Sequence, residues 1–231
     1  MTKRFLIIGG VAGGMSAATR LRRLNEDAEI IVFEKGPYVS FANCGLPYYV
    51  SGEIKEREGL IVQSATALKK RFNIDVREKS EVVKIDSETK TVTVLSEGEE
   101  YIESYDKLIL SPGARPFLPD IIGLNDSENI FTLRNIPDVD RIVEFIKMNN
   151  PKKATIIGAG FIGLEMAENL ANRGLQVTIV EKAPHVLPPI DAEMAAFVNE
   201  ELIKNNLSVM TNRGAVEFKN DEILLDNGES L

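Results

Sequence analysis

Gly158-Ala159-Gly160-Phe161-Ile162-Gly163 is the stretch that decides the fold, and Gly9-Gly10-Val11-Ala12-Gly13-Gly14 is a second version of it in the same chain. A short apolar strand precedes each stretch, and a segment with apolar residues at helical spacing follows it. A second apolar strand comes next and ends at a glutamate, Glu34 in the first copy and Glu181 in the second. This order of elements predicts two βαβ units, each with a parallel sheet and helices packed on it.

The elements around the two turns are predicted from their apolar periodicity. Four strands are expected, at Arg4 to Ile8, Glu29 to Phe33, Ala154 to Ile157 and Gln176 to Val180. Two helices are expected, with apolar faces formed by Met15, Ala18, Leu21 and Leu24 and by Leu164, Ala167, Leu170 and Ala171.

The residue types in these units indicate nucleotide binding. A helix N-terminus offers free N–H groups and a partial positive charge to a pyrophosphate, and glycines let the backbone approach it. A carboxylate at the end of the second strand accepts hydrogen bonds from ribose hydroxyls. The second copy matches the full G-x-G-x-x-G pattern, whereas Val11 replaces the middle glycine of the first. A glycine turn without a ligand is the alternative for the first copy, and the duplication disfavours it.

The sequence between the copies has a different character. Three short strands, at Glu81 to Ile85, Thr91 to Leu95 and Tyr101 to Ser104, predict a small antiparallel meander inserted in the first unit. Lys107 to Leu110 is expected to be another buried strand. The proline-rich stretch Pro112 to Pro119 is the expected boundary between a first domain, residues 1–118, and a second, residues 119–231.

Composition excludes several classes of function. With a net charge of −8, the chain has no basic stripe with which to bind nucleic acid. No apolar run approaches the ~18–20 residues that span a bilayer. A single cysteine and a single histidine exclude an internal disulfide and most zinc sites, so no metal is expected. The expectation is a soluble, cytoplasmic protein.

The lone cysteine lies in Tyr38-Val39-Ser40-Phe41-Ala42-Asn43-Cys44-Gly45-Leu46-Pro47, ten residues after Glu34. A buried structural thiol is the common fate of such a residue. However, Gly45 and Pro47 mark a turn that leads toward a short helix, and a thiol at a helix N-terminus is stabilised as the nucleophilic thiolate. Cys44 is therefore the candidate catalytic residue.

Ser40-Phe41-Ala42-Asn43-Cys44, together with both glycine turns, resembles the single-cysteine branch of the FAD-dependent pyridine nucleotide–disulfide oxidoreductases. The branch includes coenzyme A-disulfide reductases, persulfide reductases, NADH oxidases and NADH peroxidases. The resemblance implies that hydride passes from NADH or NADPH to FAD, and then to a Cys44 mixed disulfide or sulfenic acid. Oxidases and peroxidases usually carry a histidine where this chain has Ala12. The resemblance is therefore greatest to reductases of coenzyme A disulfide or a persulfide.

The resemblance also implies roles for further residues. Glu181 favours NADH over NADPH, and the neighbouring Lys182 softens that preference. The residues implied to bind the cofactors are Gly9, Gly10, Ala12, Gly13, Gly14, Glu34, Lys35, Val83, Ser111, Gly113, Arg134, Gly158, Gly160, Phe161, Ile162, Gly163, Glu165, Glu181 and Lys182. The residues implied to contact a substrate of the coenzyme A type are Ser16, Arg20, Arg23, Ser40, Asn43 and Arg71. From spacing alone, Arg20 and Arg23 form a solvated helix face.

Members of this family are usually about twice as long, and they end in a dimerisation domain that completes a homodimer. The chain lacks that domain and the returning part of the flavin domain, so we expect weak FAD binding and little activity from this chain alone. Two alternatives stay open: an NADH oxidase or peroxidase, and a chain that binds nucleotide without turnover.

Overall fold

A computed structural model describes residues 2–219 and 222–231. The chain forms two compact units. One takes in the chain up to Asn43 together with Arg57–Arg115, and the other takes in Cys44–Glu56 together with the chain from Pro116 onward. The segment that begins with Cys44 thus belongs to the second unit, although the first unit flanks it in sequence. Residues 111–120, where the domain boundary was expected, have no regular secondary structure.

The helices and strands follow the predicted order closely. In chain order they are β1 (Arg4–Ile8), α1 (Ala12–Leu24), β2 (Glu29–Phe33), α2 (Leu46–Ser51), α3 (Ala65–Phe72), β3 (Asp75–Arg77), β4 (Ser80–Asp86), β5 (Thr91–Ser96), β6 (Glu99–Ser104), β7 (Lys107–Leu110), α4 (Ile136–Asn149), β8 (Lys153–Ile157), α5 (Phe161–Asn172), β9 (Gln176–Val180), α6 (Ala192–Lys204), β10 (Ser208–Met210), β11 (Ala215–Lys219) and β12 (Glu222–Leu225). Short 3₁₀ turns cover Asn43–Gly45 and Arg57–Leu60.

The first unit is built on a parallel sheet with the order β3-β2-β1-β7. Alternate residues of β1 and β2 belong to two separate cores, because successive side chains of a strand point to opposite faces. Ile7 and Val32 pack with Met15 of α1 and Leu68 of α3 on one face. On the other face, Leu6, Ile31 and Phe33 pack with Val92 and Val94 of the meander. Both faces of the sheet are therefore covered, as is usual for parallel sheets.

The meander β4-β5-β6 is antiparallel and is joined to the parallel sheet by charged side chains. Glu103 on β6 pairs with Arg4 on β1 (2.5 Å) and with Arg77 on β3 (2.6 Å). Only 14% of the Glu103 side chain is exposed. A single carboxylate thus joins three strands from two sheets.

The second unit has a parallel sheet with the order β10-β9-β8 and a separate antiparallel hairpin, β11-β12. α5 packs on β8 and β9, and α6 packs on β10. α2 also belongs to this unit and contacts α4 and α5. Val177 and Ile179 of β9 lie in its core, with Leu170 of α5.

The predicted fold class, two βαβ units with a meander inserted in the first, is confirmed. Two details were wrong. Leu24 was expected on the buried face of α1, but it ends the helix and is 66% exposed. Lys107 to Leu110 was expected to be buried, but β7 is an edge strand of the described sheet, with Leu110 59% exposed. Within the described residues, no helix is both long enough and apolar enough to cross a bilayer.

Candidate functional site: two glycine turns and the Cys44 segment

The first glycine turn is shaped by contacts that exclude any side chain. Gly9 has φ +102°, and a Cβ there would lie 2.0 Å from the carbonyl oxygen of Ser111. A Cβ on Gly14 would lie 1.8 Å from the carbonyl oxygen of Gly9. Glycine is therefore required at both positions for the chain to turn from β1 into α1.

Glu34 holds this turn from the end of β2. Its Oε2 accepts a hydrogen bond from the N–H of Gly10 (2.8 Å), and its Oε1 accepts one from the N–H of Gly36 (2.7 Å). A carboxylate has about four acceptor positions, so capacity remains for ribose hydroxyls. The acid predicted to bind a nucleotide also orders the backbone beside it.

The second turn repeats this arrangement. Oε2 of Glu181 accepts from the N–H of Ala159 (2.7 Å), and Oε1 accepts from the N–H of Ala183 (2.7 Å). Gly158 has φ +101°, and a Cβ on Gly163 would lie 2.1 Å from the carbonyl oxygen of Gly158. The two turns therefore have the same hydrogen-bond design, despite Val11 in the first.

The repeat continues beyond the acid, which the sequence analysis missed. The N–H of Ser40 donates to the carbonyl of Gly10, and the N–H of Leu187 donates to the carbonyl of Ala159, each over 2.9 Å. Ser40 and Leu187 both have a left-handed backbone conformation, with φ +47° and +49°. The signal was present in the sequence, because Glu34-Lys35-Gly36-Pro37-Tyr38-Val39 parallels Glu181-Lys182-Ala183-Pro184-His185-Val186.

The third strand of each unit extends the correspondence. Glu34 N–H donates to the carbonyl of Arg77, and Glu181 N–H donates to the carbonyl of Met210, each over 2.9 Å. By this register Glu78 corresponds to Thr211. Partial burial of its carboxyl group and the nearby charge of Glu34 raise the pKa of Glu78, although the N–H of Val39 opposes this shift. The first unit therefore has two neighbouring carboxylates where the second has one.

The helices that follow the two turns begin without a side-chain cap. Val11 before α1 and Gly160 before α5 make no capping hydrogen bond, and neither first turn contains an acid. By contrast, Ser64 caps α3 and Asn135 caps α4. A Cβ on Gly160 would meet nothing within 4 Å, so the protein itself does not require glycine there. Free N–H groups beside open space fit a pyrophosphate.

Cys44 is a free, exposed thiol in the 3₁₀ turn Asn43–Gly45, immediately before α2. The chain that leads to it is held within the first unit by backbone hydrogen bonds. Ala42 N–H donates to the carbonyl of Leu60 (2.8 Å), and Val62 N–H donates to the carbonyl of Ser40 (2.8 Å). Ser40, which also contacts the first turn, therefore links that turn to the cysteine segment along the chain.

The residues implied to contact substrate are only partly brought together. Ser16, Arg20 and Arg23 lie on one exposed face of α1, because spacings of four and three residues return to the same side of a helix. Arg22 points inward and donates to the carbonyls of Phe72 and Asn73. Arg71 lies in the last turn of α3, with its guanidinium 5.0 Å from the centre of the Phe72 ring.

The remaining predicted cofactor residues have varied surroundings. Ser111 lies against the first turn, and its Oγ would be 3.2 Å from a Cβ on Gly13. Lys35 pairs with Glu81 (2.7 Å), and Arg134 N–H donates to the carboxylate of Asp138 (2.9 Å). Glu165 is half-buried, and the residues exposed to solvent are Ala12, Gly13, Lys35, Val83, Gly113, Phe161, Ile162 and Lys182. No group of three potential metal ligands occurs within residues 2–219 and 222–231.

Known proteins resemble this chain over nearly all of its length. The family profile described as pyridine nucleotide-disulphide oxidoreductase matches residues 3–231. A coenzyme A disulfide reductase from Staphylococcus haemolyticus is 39% identical over 98% of this chain and 51% of its own length. The chain thus spans about half the length of the curated relatives it matches.

Solved structures agree. Reduced CoADR-RHD from Bacillus anthracis superposes with a TM-score of 0.97 at 49% identity, over 100% of this chain and 42% of that one. An NAD-dependent persulfide reductase from A. fulgidus superposes with a TM-score of 0.93 at 37% identity, over 98% and 44%.

Proposed function

The chain belongs to the pyridine nucleotide-disulphide oxidoreductase family. We therefore propose that it acts as a reductase in which Cys44 attacks coenzyme A disulfide or a related persulfide. FAD and NADH or NADPH are the cofactors. The observation that carries the proposal is the pair of glutamate-held glycine turns, together with the exposed thiol of Cys44, which follows the first of them along the chain.

The first turn is assigned to FAD and the second to the nicotinamide nucleotide. When bound, the flavin accepts hydride from the nicotinamide and passes two electrons to sulfur. The chain's own part is to hold each pyrophosphate at an uncapped helix N-terminus and each ribose at Glu34 or Glu181. The acidic pair Glu34 and Glu78 suits an unphosphorylated ribose, because a phosphate there would face two carboxylates.

The surroundings of Glu181 are less acidic than those of Glu34. Thr211 takes the place of Glu78, and Lys182 follows the acid. One carboxylate favours the free 2′-hydroxyl of NADH, while a nearby cation moderates the repulsion of a 2′-phosphate. We therefore propose NADH as the preferred donor, with NADPH accepted at a lower specificity constant.

Cys44 carries the chemistry at sulfur. Its thiolate attacks one sulfur of the substrate disulfide, which forms a mixed disulfide and releases the first product as a thiolate that takes up one proton. Two electrons and one proton then release the second thiol and restore the thiolate. Overall, one NAD(P)H and one proton convert one disulfide into two thiols. A persulfide is reduced in the same way, with hydrogen sulfide as one product.

An exposed polar and basic strip supports a substrate of the coenzyme A type. Arg20 and Arg23 lie on the same exposed face of α1 as Ser16, and arginines recognise phosphates through paired hydrogen bonds. Ala12 at the first turn cannot donate a proton, which disfavours a peroxidase.

The test compares the native protein with its Cys44→Ser variant by stopped-flow and steady-state kinetics. We expect the variant to retain NADH-dependent reduction of ferricyanide and to lose reduction of coenzyme A disulfide. Disulfide turnover that survives in Cys44→Ser would refute the assignment. NADH-dependent oxygen or peroxide consumption at the wild-type disulfide rate would instead favour an oxidase or peroxidase.

A further inference from the structure

The helix that follows Cys44 is anchored at its far end by a residue distant in sequence. α2 has six residues, and the three carbonyls before its last one have partners. The carbonyl of Tyr48 accepts from Ser51 Oγ and from Ile54 N–H (both 3.0 Å), and that of Tyr49 accepts from Gly52 N–H (3.2 Å). The carbonyl of the fully buried Val50 accepts from Nη1 of Arg173, 123 residues away.

The position of Arg173 is set by the way α5 ends. Its N–H donates to the carbonyl of Asn169 (3.1 Å), and Gly174 follows with φ +94°. Leu175, which is buried, donates its N–H to the carbonyl of Leu170 (3.1 Å). This glycine-terminated end closes the helix and leaves the half-buried Arg173 side chain directed at α2.

The two ends of α5 therefore serve two parts of the same unit. Its first residue, Phe161, follows the glycine turn that is held by Glu181, and its C-cap contacts the helix that follows Cys44. A helix of six residues is not stable by itself, so its place depends on tertiary contacts. A cation at the C-terminal end of α2 is also favoured by the helix dipole.

We propose that Arg173 is a positioning residue for Cys44, which it holds in place through the Val50 carbonyl and α2. The proposal rests on the function assigned to Cys44 above. Without the guanidinium, the Val50 carbonyl is buried and unpaired, so α2 shifts toward water and the turn at Asn43–Gly45 shifts with it. The thiol then loses its alignment with the substrate disulfide, while the Glu181 turn is unchanged.

The experiment compares Arg173→Ala and Arg173→Lys in the native protein, with Arg141→Ala as the matched control. Arg141 lies on α4 of the same unit, is 64% exposed and pairs with Asp138, three residues before it. Three quantities are measured: kcat for coenzyme A disulfide, the KM for NADH with ferricyanide as acceptor, and the rate at which iodoacetamide alkylates Cys44.

We expect Arg173→Ala to lower kcat for the disulfide by about 10-fold to 100-fold, the usual cost of misplacing a reacting group by about 1 Å. NADH-dependent ferricyanide reduction and the KM for NADH should stay at the control values, and the alkylation rate should change. Arg173→Lys keeps a cationic donor and should recover part of the disulfide activity.

Two results would overturn the proposal. One is a parallel loss of disulfide and ferricyanide activity, which would mean that Arg173 supports only the fold of the unit. The other is unchanged disulfide kinetics and alkylation in both variants. Should Arg173→Ala not fold, Arg173→Lys decides by the same measurements. If the wild type does not reduce coenzyme A disulfide, the alkylation rates of the variants still show whether Arg173 positions Cys44. Failure of this proposal can therefore be told apart from failure of the proposed function.

Discussion

Oε2 of Glu34 accepts the N–H of Gly10 over 2.8 Å, and this bond makes the acid part of the turn as well as part of the proposed nucleotide site. The same bond joins Glu181 to Ala159 over 2.7 Å. Each carboxylate orders a backbone N–H next to an uncapped helix, so one side chain supports both the proposed anion site and the proposed ribose site. Loss of either acid should therefore loosen the turn and weaken ligand binding together.

Glu34→Ala and Glu181→Ala should have separate effects, because each acid serves its own unit. We expect Glu34→Ala to lower the FAD content of the purified protein and to leave the KM for NADH of the flavin-loaded fraction unchanged. Glu181→Ala should raise the KM for NADH, with about 1.5–3 kcal/mol lost for a hydrogen bond to a charged acceptor, and should retain FAD.

Absorbance at the flavin band and steady-state kinetics measure the two effects, and each variant is the control for the other. Loss of FAD in Glu181→Ala, or an unchanged KM in that variant, would contradict the assignment of one nucleotide to each turn.

Gly160 and Gly163 are three residues apart but should respond differently to alanine. A Cβ at Gly163 would overlap the carbonyl oxygen of Gly158 at 2.1 Å, so Gly163→Ala should lower the melting temperature. A Cβ at Gly160 meets open space, so Gly160→Ala should leave stability within about 0.5 kcal/mol of wild type. If the pyrophosphate lies against Gly160, that variant should still raise the KM for NADH.

Differential scanning calorimetry and NADH kinetics on Gly160→Ala and Gly163→Ala measure the two expected effects. Equal thermal effects, or a wild-type KM in Gly160→Ala, would show that the second turn does not hold phosphate as assigned.

The Glu103 ion pairs should make stability depend on pH. Burial alone would raise the pKa of Glu103, but the hydrogen bond and charge of Arg77, together with Arg4, lower it below its ordinary value. A carboxyl group whose pKa is lower in the folded state stabilises the protein at every pH above its unfolded-state pKa. That contribution is lost as the pH falls through the pKa of the folded state. We expect the loss to begin below about pH 4.5, the ordinary value for this group.

Glu103→Gln is the control for this prediction. It should cost about 1–2 kcal/mol at pH 7, because two partly exposed arginines lose a charged partner, and it should flatten the decline in acid. Urea unfolding from pH 7 to pH 3 measures both. A decline of the same steepness in Glu103→Gln would assign the acid sensitivity to other carboxylates.

Much of this protein is readable from residues close together in the chain. Apolar periodicity marks β1, β2, β8 and β9 because burial on a strand or helix repeats with the period of that element. The glycine turns are readable because only glycine tolerates φ near +100° beside a carbonyl oxygen. Cys44 stands out as the one cysteine of the chain, in a Ser-Phe-x-x-Cys run. The parallel runs that begin at Glu34 and Glu181 were equally legible, although their meaning depends on the bonds of Ser40 and Leu187.

Other features were decided by packing between distant segments. The exposure of Leu24 and of the edge strand β7 follows from what covers each element, which periodicity does not record. No local pattern assigns the segment after Cys44 to the second unit, and none pairs Arg173 with a carbonyl 123 residues away. Such pairs form because a buried carbonyl must find a donor wherever the fold brings one, and hydrogen-bond satisfaction is a property of the folded chain rather than of any stretch within it.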